Sequence, residues 1–344
     1  MKIAIIGATG YGGVELVRLL HQHKEVTTID TFTSSEVGVP YSEKYPQFKG
    51  LYDEPMKAIE YDVLETYDVV FTSTPAGVTT TLLEPLIGKD VKLIDLAGDY
   101  RIQNPELYEK WYGKEAPKKE LLEQAVYGLS EWNKEAIQHA QLLSNPGCYP
   151  TATALSILPL IKDQLIDPNS CIIDAKSGVT GSGNKLTKSS HFCEANESTS
   201  IYKINKHQHI PEIEQSIQWF GEADATITFS THLVPMERGI LTTAYATLNE
   251  GVTEEMIHES FERHYEDAPF IRYIKETNSF STNQVRGSNF CDIHCDVDER
   301  TGRVTILAVI DNMVKGAAGQ AIQNMNIMCG FDETLGIEFL PLPM

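Results

Sequence analysis

Lys2-Ile-Ala-Ile-Ile-Gly-Ala-Thr-Gly-Tyr-Gly-Gly-Val-Glu-Leu-Val-Arg-Leu-Leu20 reads as a strand, a glycine-rich turn and a helix in immediate succession. Lys2–Ile6 is a short apolar run of the kind a buried parallel strand needs, and Val14–Leu20 follows helical spacing. Glycines at 7, 10 and 13 permit a tight turn, let backbone N–H groups approach a pyrophosphate, and let the helix pack close to the strand. The spacing is G-x-x-G-x-x-G rather than G-x-G-x-x-G. Placement between a strand and a helix is what separates it from a mere turn. The stretch predicts a dinucleotide-binding, Rossmann-type parallel sheet, with Gly7, Thr9, Gly10, Tyr11, Gly12 and Gly13 at the cofactor.

Outward from this opening, Val26–Ser34 reads as the second strand, whose C-terminal end faces the adenosine ribose. An NAD binder usually carries an acid there. Here Asp30 lies mid-strand, and the end carries Thr33, Ser34 and Ser35, small hydroxyls that leave room for a 2′-phosphate and can donate to it. This favours NADP, with Ser34 and Ser35 at the phosphate; the alternative is a capped strand end, since no arginine stands beside it. Asp68–Pro75 and Val91–Ala97 read as further buried parallel strands. Asp95-Leu-Ala-Gly-Asp-Tyr-Arg101 ends in an arginine that is either a carboxylate or phosphate clamp or one partner of a surface salt bridge.

The 344 residues are enough for two domains, and 42% hydrophobic with 22% charged residues is ordinary for a globular protein. With 28 Lys plus Arg against 48 Asp plus Glu, a formal charge of −20 argues against nucleic acid or an anionic membrane as partner. It leaves an anionic small molecule open, because local donors can build a positive pocket on an acidic protein. The chain enters a strand at once, and no apolar run of about 18 residues occurs, so a cytoplasmic location is expected. Cysteines at 148, 171, 193, 291, 295 and 329 form no small-domain disulfide pattern, and reduced thiols are expected.

Cys148 stands in Asn145-Pro-Gly-Cys-Tyr-Pro-Thr151, directly before the apolar helical run Thr151–Ile161. Pro146 and Gly147 break what precedes, Pro150 suits a first helical turn, and the thiol meets unpaired N–H groups and the positive end of a helix dipole. Such a place favours thiolate. The competing reading is a buried small hydrophobe. Beyond it, Cys171–Ser177 is a strand running into the glycine-rich loop Gly178–Lys185, placed to close over a cofactor or an anion. Ala225–Val234, Ile240–Ala246 and Gly302–Ile310 are β-rich. The fold expected is α/β: a Rossmann-type parallel sheet plus an α+β catalytic and dimerisation domain with a largely antiparallel sheet. Asp311–Met325 reads as a small-residue helix docking back on the first domain. The expected boundaries are 1–147 plus 312–344 for the NADP-binding part and 148–311 for the catalytic, substrate-binding and dimerisation part.

His207-Gln-His209 precedes a helix start at Pro211, and an extended approach would put both imidazoles on one face. A metal would need a third ligand. Cys291-Asp-Ile-His-Cys295 does not have zinc spacing, so no metal is expected and the pair is read as acid and base beside the cysteine. A nicotinamide cofactor, an activated cysteine and histidine together suit hydride transfer at the acyl level, through a thioester.

Across nearly its whole length the chain resembles the N-acetyl-gamma-glutamyl-phosphate reductase family, related to aspartate-semialdehyde dehydrogenase. The resemblance rests on Gly7–Gly13, Asp95–Arg101, Tyr127-Gly-Leu-Ser-Glu131, Asn145–Thr151, Ser177–Gly183, His207–Ile213, Leu233-Val-Pro-Met-Glu-Arg-Gly239 and Asp311–Gln320. It implies Cys148 as nucleophile, His207 and His209 as acid/base, and NADPH-dependent reduction of N-acetylglutamyl 5-phosphate to the semialdehyde, with phosphate release, in arginine biosynthesis. It further implies Ser177, Gly178 and Asn312 beside the nicotinamide, Arg101, Asn145 and Lys185 toward the substrate, and a homodimer or homotetramer. Ser130 stands where proline is usual and Glu237 where asparagine is common. Alternatives are reduction of aspartyl phosphate or a carrier-linked aminoadipyl phosphate, a nucleotide-sensing regulator without catalysis, and a cysteine hydrolase. The 207–209 motif, the intact Cys148 and the dinucleotide loop argue against aspartyl phosphate, the regulator and the hydrolase respectively.

Overall fold

A computed structural model describes residues 1–343 and divides the chain into two units. The first comprises Met1–Pro146 and Ala317–Glu338; the second comprises Gly147–Gly316 and the residues from Phe339 onward. The expected split therefore shifts at its edges. Residues 312–316 stay with the second unit, where the Asn312 side chain bonds Gly239 and Thr180, and the C-terminal segment returns to it through Leu342 N–H donating to Arg286 O at 2.7 Å.

In the first unit β1 (Lys2–Ile6), β2 (Thr28–Thr33), β3 (Lys57–Ala58), β4 (Val69–Thr72), β5 (Lys92–Asp95), β6 (Val126–Tyr127) and β7 (Leu142–Ser144) form a sheet in the order β3-β2-β1-β4-β5-β7-β6. Every pairing is parallel. The apolar runs read from sequence are buried, as strands covered on both faces require: Ile3, Ala4, Ile5, Val69, Val70 and Phe71 are all inaccessible. The helix Gly319–Cys329 completes this unit and is buried almost throughout. Asn324 Nδ2 donates to Gly128 O, and Ser130, the departure from proline, donates its hydroxyl to Asn324 Oδ1 at 2.8 Å.

In the second unit β8 (Ile172–Ser177), β9 (Ser200–Tyr202), β10 (Thr228–Leu233), β11 (Ile240–Thr247), β12 (Ile271–Tyr273), β13 (Cys291–Asp298) and β14 (Arg303–Ile310) form a second sheet, ordered β12-β13-β14-β11-β8-β10-β9. It is mixed. The pairs β8/β10 and β12/β13 are parallel and the other four antiparallel. β8 and β10 alternate buried and accessible residues, so one face packs inward and the other stays open.

Across that sheet lies the helix Cys148–Lys162, buried on nearly all sides. Pro159 removes an N–H from its interior and would orphan the carbonyl of Leu155. The Tyr265 hydroxyl donates to that oxygen at 2.5 Å, so the substitute donor comes from the helix Glu254–Tyr265. The small-residue segment after Asp311 is not a single α-helix: Val314–Ala318 is a π-helical turn, and the α-helix begins only at Gly319.

Candidate active site

In the first unit Gly7 adopts φ +82°, and a Cβ there would fall 2.5 Å from Ser73 O. A Cβ on Gly13 would fall 2.5 Å from the Ala8 Cα. The loop is thus drawn tight between β4 and the helix Tyr11–Leu20, whose N-cap Gly10 offers no side-chain cap. Tyr41 and Tyr45 hold it from behind, their hydroxyls donating to Ala8 O at 2.9 Å and Thr9 O at 2.7 Å. A bare, close-packed glycine turn at a helix N-terminus is the shape a pyrophosphate needs, and a dinucleotide fits it.

At the end of β2, Ser34 and Ser35 are exposed. Asp30 is buried, accepts from the Tyr67 hydroxyl at 2.6 Å and pairs with Lys57 at 2.9 Å, so its carboxylate is spent inside the sheet. Glu36, the next acid along, is paired with Lys44 at 2.8 Å.

Arg101 is not a surface salt-bridge partner. It is 7% exposed, its Nε donates to Asn145 O at 2.8 Å and its Nη2 to Leu96 O at 2.9 Å, tying together the ends of β5 and β7. Asn145 likewise has its amide engaged: Nδ2 donates to Ala317 O and Oδ1 accepts from Asn324, each at 3.1 Å. As the structure stands, these two residues shape the strand ends.

In the second unit Cys148 is the first residue of its helix, after Gly147 as N-cap, so the thiol lies within the first turn rather than ahead of the helical run from Thr151. Thr151 closes the turn with both N–H and Oγ1 on Gly147 O at 2.9 Å. Gly147 N–H donates to Glu212 Oε1 at 2.8 Å, joining the start of this helix to the start of the helix Ile210–Phe220. That second helix carries His209 as its N-cap.

The approach to His209 is turned rather than extended, with φ −82° and ψ −10°, yet the imidazoles still meet, their centroids 4.7 Å apart. His209 N–H donates to His207 Nδ1 at 3.2 Å, so the neutral His207 carries its proton on Nε2. Burial, helped by Lys203, pushes the His207 pKa down to about 3. Tyr149, next to the thiol, packs edgewise on both rings, at 5.4 Å from His207 and 6.0 Å from His209. Its hydroxyl meets that of Tyr202 at 3.1 Å, and burial raises both phenols, Tyr202 to about 12, so both stay protonated.

Sequence reasoning missed Tyr149, Tyr202 and Glu212. Adjacency to Cys148 was the visible signal for Tyr149, and a place in the first helical turn after Pro211 that for Glu212; no local pattern marks Tyr202.

Ser177, Gly178 and Asn312 form one knot. Gly178 N–H donates to Gly239 O at 2.9 Å, while Asn312 Oδ1 accepts from Gly239 N at 2.7 Å and its Nδ2 donates to Thr180 Oγ1 at 3.0 Å. Ser177 is buried and donates to Gly178 O at 3.0 Å. Glu237 joins through its carbonyl, which accepts from Thr180 N and Oγ1. Lys185 stands exposed in the loop beyond, outside this knot. No group of three or more His, Cys, Asp or Glu side chains among the described residues is arranged to hold a metal.

Residues 2–140 match the family described as semialdehyde dehydrogenase, NAD binding domain, and residues 148–312 that described as semialdehyde dehydrogenase, dimerisation domain. The chain is 51% identical over 342 residues, 99% of each chain, to the N-acetyl-gamma-glutamyl-phosphate reductase of Geobacillus kaustophilus. The chain belongs to the N-acetyl-gamma-glutamyl-phosphate reductase family. The reductase of that name from Bacillus cereus strain AH187 is 47% identical over 343 residues, again 99% of both chains. Among solved structures, aspartate semialdehyde dehydrogenase II from Vibrio cholerae superposes with a TM-score of 0.70 at 15% identity, covering 96% of this chain and 98% of the other. The Candida albicans aspartate semialdehyde dehydrogenase, solved with NADP, gives a TM-score of 0.66 at 14% identity, covering 95% and 98%. These two establish the fold. The chain is a reductase, an oxidoreductase of the semialdehyde dehydrogenase family, and that family fits NADP-dependent reduction of an acyl phosphate. No helix among the described residues is long and apolar enough to cross a membrane.

Proposed function

We propose that this reductase converts N-acetylglutamyl 5-phosphate to N-acetylglutamate 5-semialdehyde with NADPH, through a thioester on Cys148, as a step of arginine biosynthesis in the cytoplasm. The observation that carries the reading is the linkage of Cys148, at the first position of a buried helix, to the histidine pair through Gly147–Glu212 and Tyr149. The Cys148 thiolate, favoured by the helix terminus, attacks the acyl carbon. A C–S bond forms, the C–O bond to phosphate breaks, and phosphate leaves. When bound, the reduced nicotinamide supplies the hydride that takes the acyl carbon from the thioester to the aldehyde level. Collapse breaks the C–S bond and returns the thiolate, with His209 moving the proton on the substrate oxygen. In this reading Lys185 attracts the anionic substrate, and Ser177, Gly178 and Asn312 shape the wall beside the nicotinamide. A homodimer or homotetramer also belongs to it: Ile172 and Tyr245, paired across β8 and β11, are 42% and 37% exposed on the open face of the mixed sheet.

The deciding assay runs the reaction backwards. NADP reduction by N-acetylglutamate 5-semialdehyde should require phosphate and exceed that by aspartate semialdehyde by about tenfold or more in kcat/KM, since a site built for one acyl group leaves its polar groups unpaired with another. Equal or better use of aspartate semialdehyde would overturn the assignment of the acyl group.

With Asp30 and Glu36 both paired, no unpaired acid at the end of β2 opposes a 2′-phosphate on Ser34 or Ser35. NADPH should therefore be preferred over NADH, and Ser34→Asp should flatten or reverse that preference by repulsion. Equal kcat/KM for both cofactors in the unmodified protein would contradict this.

A further inference from the structure

The π-helical turn Val314–Ala318 lies against the nucleophile. A Cβ on Gly316 would fall 2.8 Å from the Cys148 Cβ and 3.3 Å from its Cα, so the backbone of the turn forms one wall of the cysteine's position. Such turns are rare, and a helix widened in this way needs an outside hold. Asp311 provides it. The Asp311 carbonyl accepts from Gly316 N at 3.0 Å, the wide bond of the turn itself. Its carboxylate, fully buried, takes Met313 N at 2.8 Å and Val314 N at 3.2 Å on Oδ1, and Gly287 N at 2.7 Å and Arg238 Nη1 at 3.5 Å on Oδ2. Gly287 is braced in turn by the C-terminal segment. Leu342 N donates to Arg286 O at 2.7 Å, and the Leu342 side chain covers the place a Gly287 Cβ would take. Lys315, also fully buried, sets its ammonium 5.9 Å from the centre of the Phe270 ring, anchoring the turn on its other side.

We infer that Asp311 is a positioning residue for Cys148, holding the π-helical turn against the nucleophile, with the segment around Leu342 as its brace. The inference rests on the reading of Cys148 as nucleophile. A turn released from Asp311 no longer confines the cysteine, and misplacement of a reacting atom by about 1 Å costs up to about a hundredfold in rate.

The test measures kcat, both KM values and the pH profile of Cys148 alkylation by iodoacetamide in two variants. Asp311→Asn keeps one acceptor oxygen but turns an amide toward Gly287 N–H and Arg238; a stop after Glu338 removes the brace and leaves Asp311 in place. Asp311→Asn should lower kcat by about tenfold or more, change the cofactor KM less than about twofold, and displace the alkylation profile. The truncated chain should move the same quantities the same way by less. Wild-type alkylation profiles in both variants would overturn the inference, as would a fall in kcat matched only by loss of folded protein. Should Asp311→Asn fail to fold, the truncated chain decides by the same criteria. If alkylating Cys148 in the unmodified protein leaves turnover intact, it is the nucleophile reading that falls.

Discussion

Cys148→Ser is expected to abolish turnover and to leave dinucleotide binding nearly intact. The serine hydroxyl is hardly ionised at neutral pH, and the helix terminus that favours a thiolate at this position cannot make an alkoxide available there. The substitution is nearly isosteric, so Gly147 N–H keeps its bond to Glu212 and Tyr149 keeps its place on the two imidazoles. The glycine loop lies in the other unit of the chain, with its own hold from Tyr41 and Tyr45. Turnover measured beside a titration of NADP binding separates the two effects. Substantial residual activity in a variant whose circular dichroism matches the parent would sink the thioester route.

The helix start at Cys148 was legible because a proline-flanked cysteine before an apolar run is a local pattern, and local patterns survive in sequence. The same holds for the first sheet, whose buried parallel strands write themselves as apolar runs. β3, β6 and β7 did not, because Lys57–Ala58, Val126–Tyr127 and Leu142–Ser144 are too short to show a period. The second sheet read as largely antiparallel, as four of its six pairings are; the parallel pairings left no trace because alternation reports which face is buried and says nothing about the direction of the neighbouring strand, and β8 and β10 alternate and yet run parallel.

The residues given to the substrate came with the resemblance and not from a local pattern. Nothing near Asn145 in sequence shows what its amide bonds, since its partners Ala317 and Asn324 lie 172 and 179 residues away. The run from Asp311 read as one helix because small residues suit any close-packed turn. Its π-helical start depends on Gly287 and Arg238 reaching Asp311 from elsewhere in the unit, which no spacing records.

For the histidine pair the helix start at Pro211 already favours His209 for the proton work and leaves His207 to steady the substrate, and the structure adds a physical ground for that choice. His207 is buried with its pKa lowered to about 3, and its Nδ1 is occupied by the His209 N–H. An imidazole that stays neutral from about pH 4 upward takes up no proton near neutrality, so it is a poor general base and an unavailable general acid. What it retains is an Nε2–H donor, suited to holding a substrate oxygen. His209 is 8% exposed and fixed at its helix start by the bond from Ile213 N to its carbonyl at 3.0 Å and by Pro211 in the first turn. We therefore assign the proton work to His209. His209→Asn should lower kcat by about a hundredfold or more, the scale on which general acid–base help is lost, whereas His207→Asn should raise KM more than it lowers kcat. Alkylation of Cys148 against pH in the two variants gives the independent check. If both profiles match the parent, neither imidazole activates the thiol, and the helix terminus alone sustains the thiolate; if only the His207 variant departs, the assignment of the two roles is reversed.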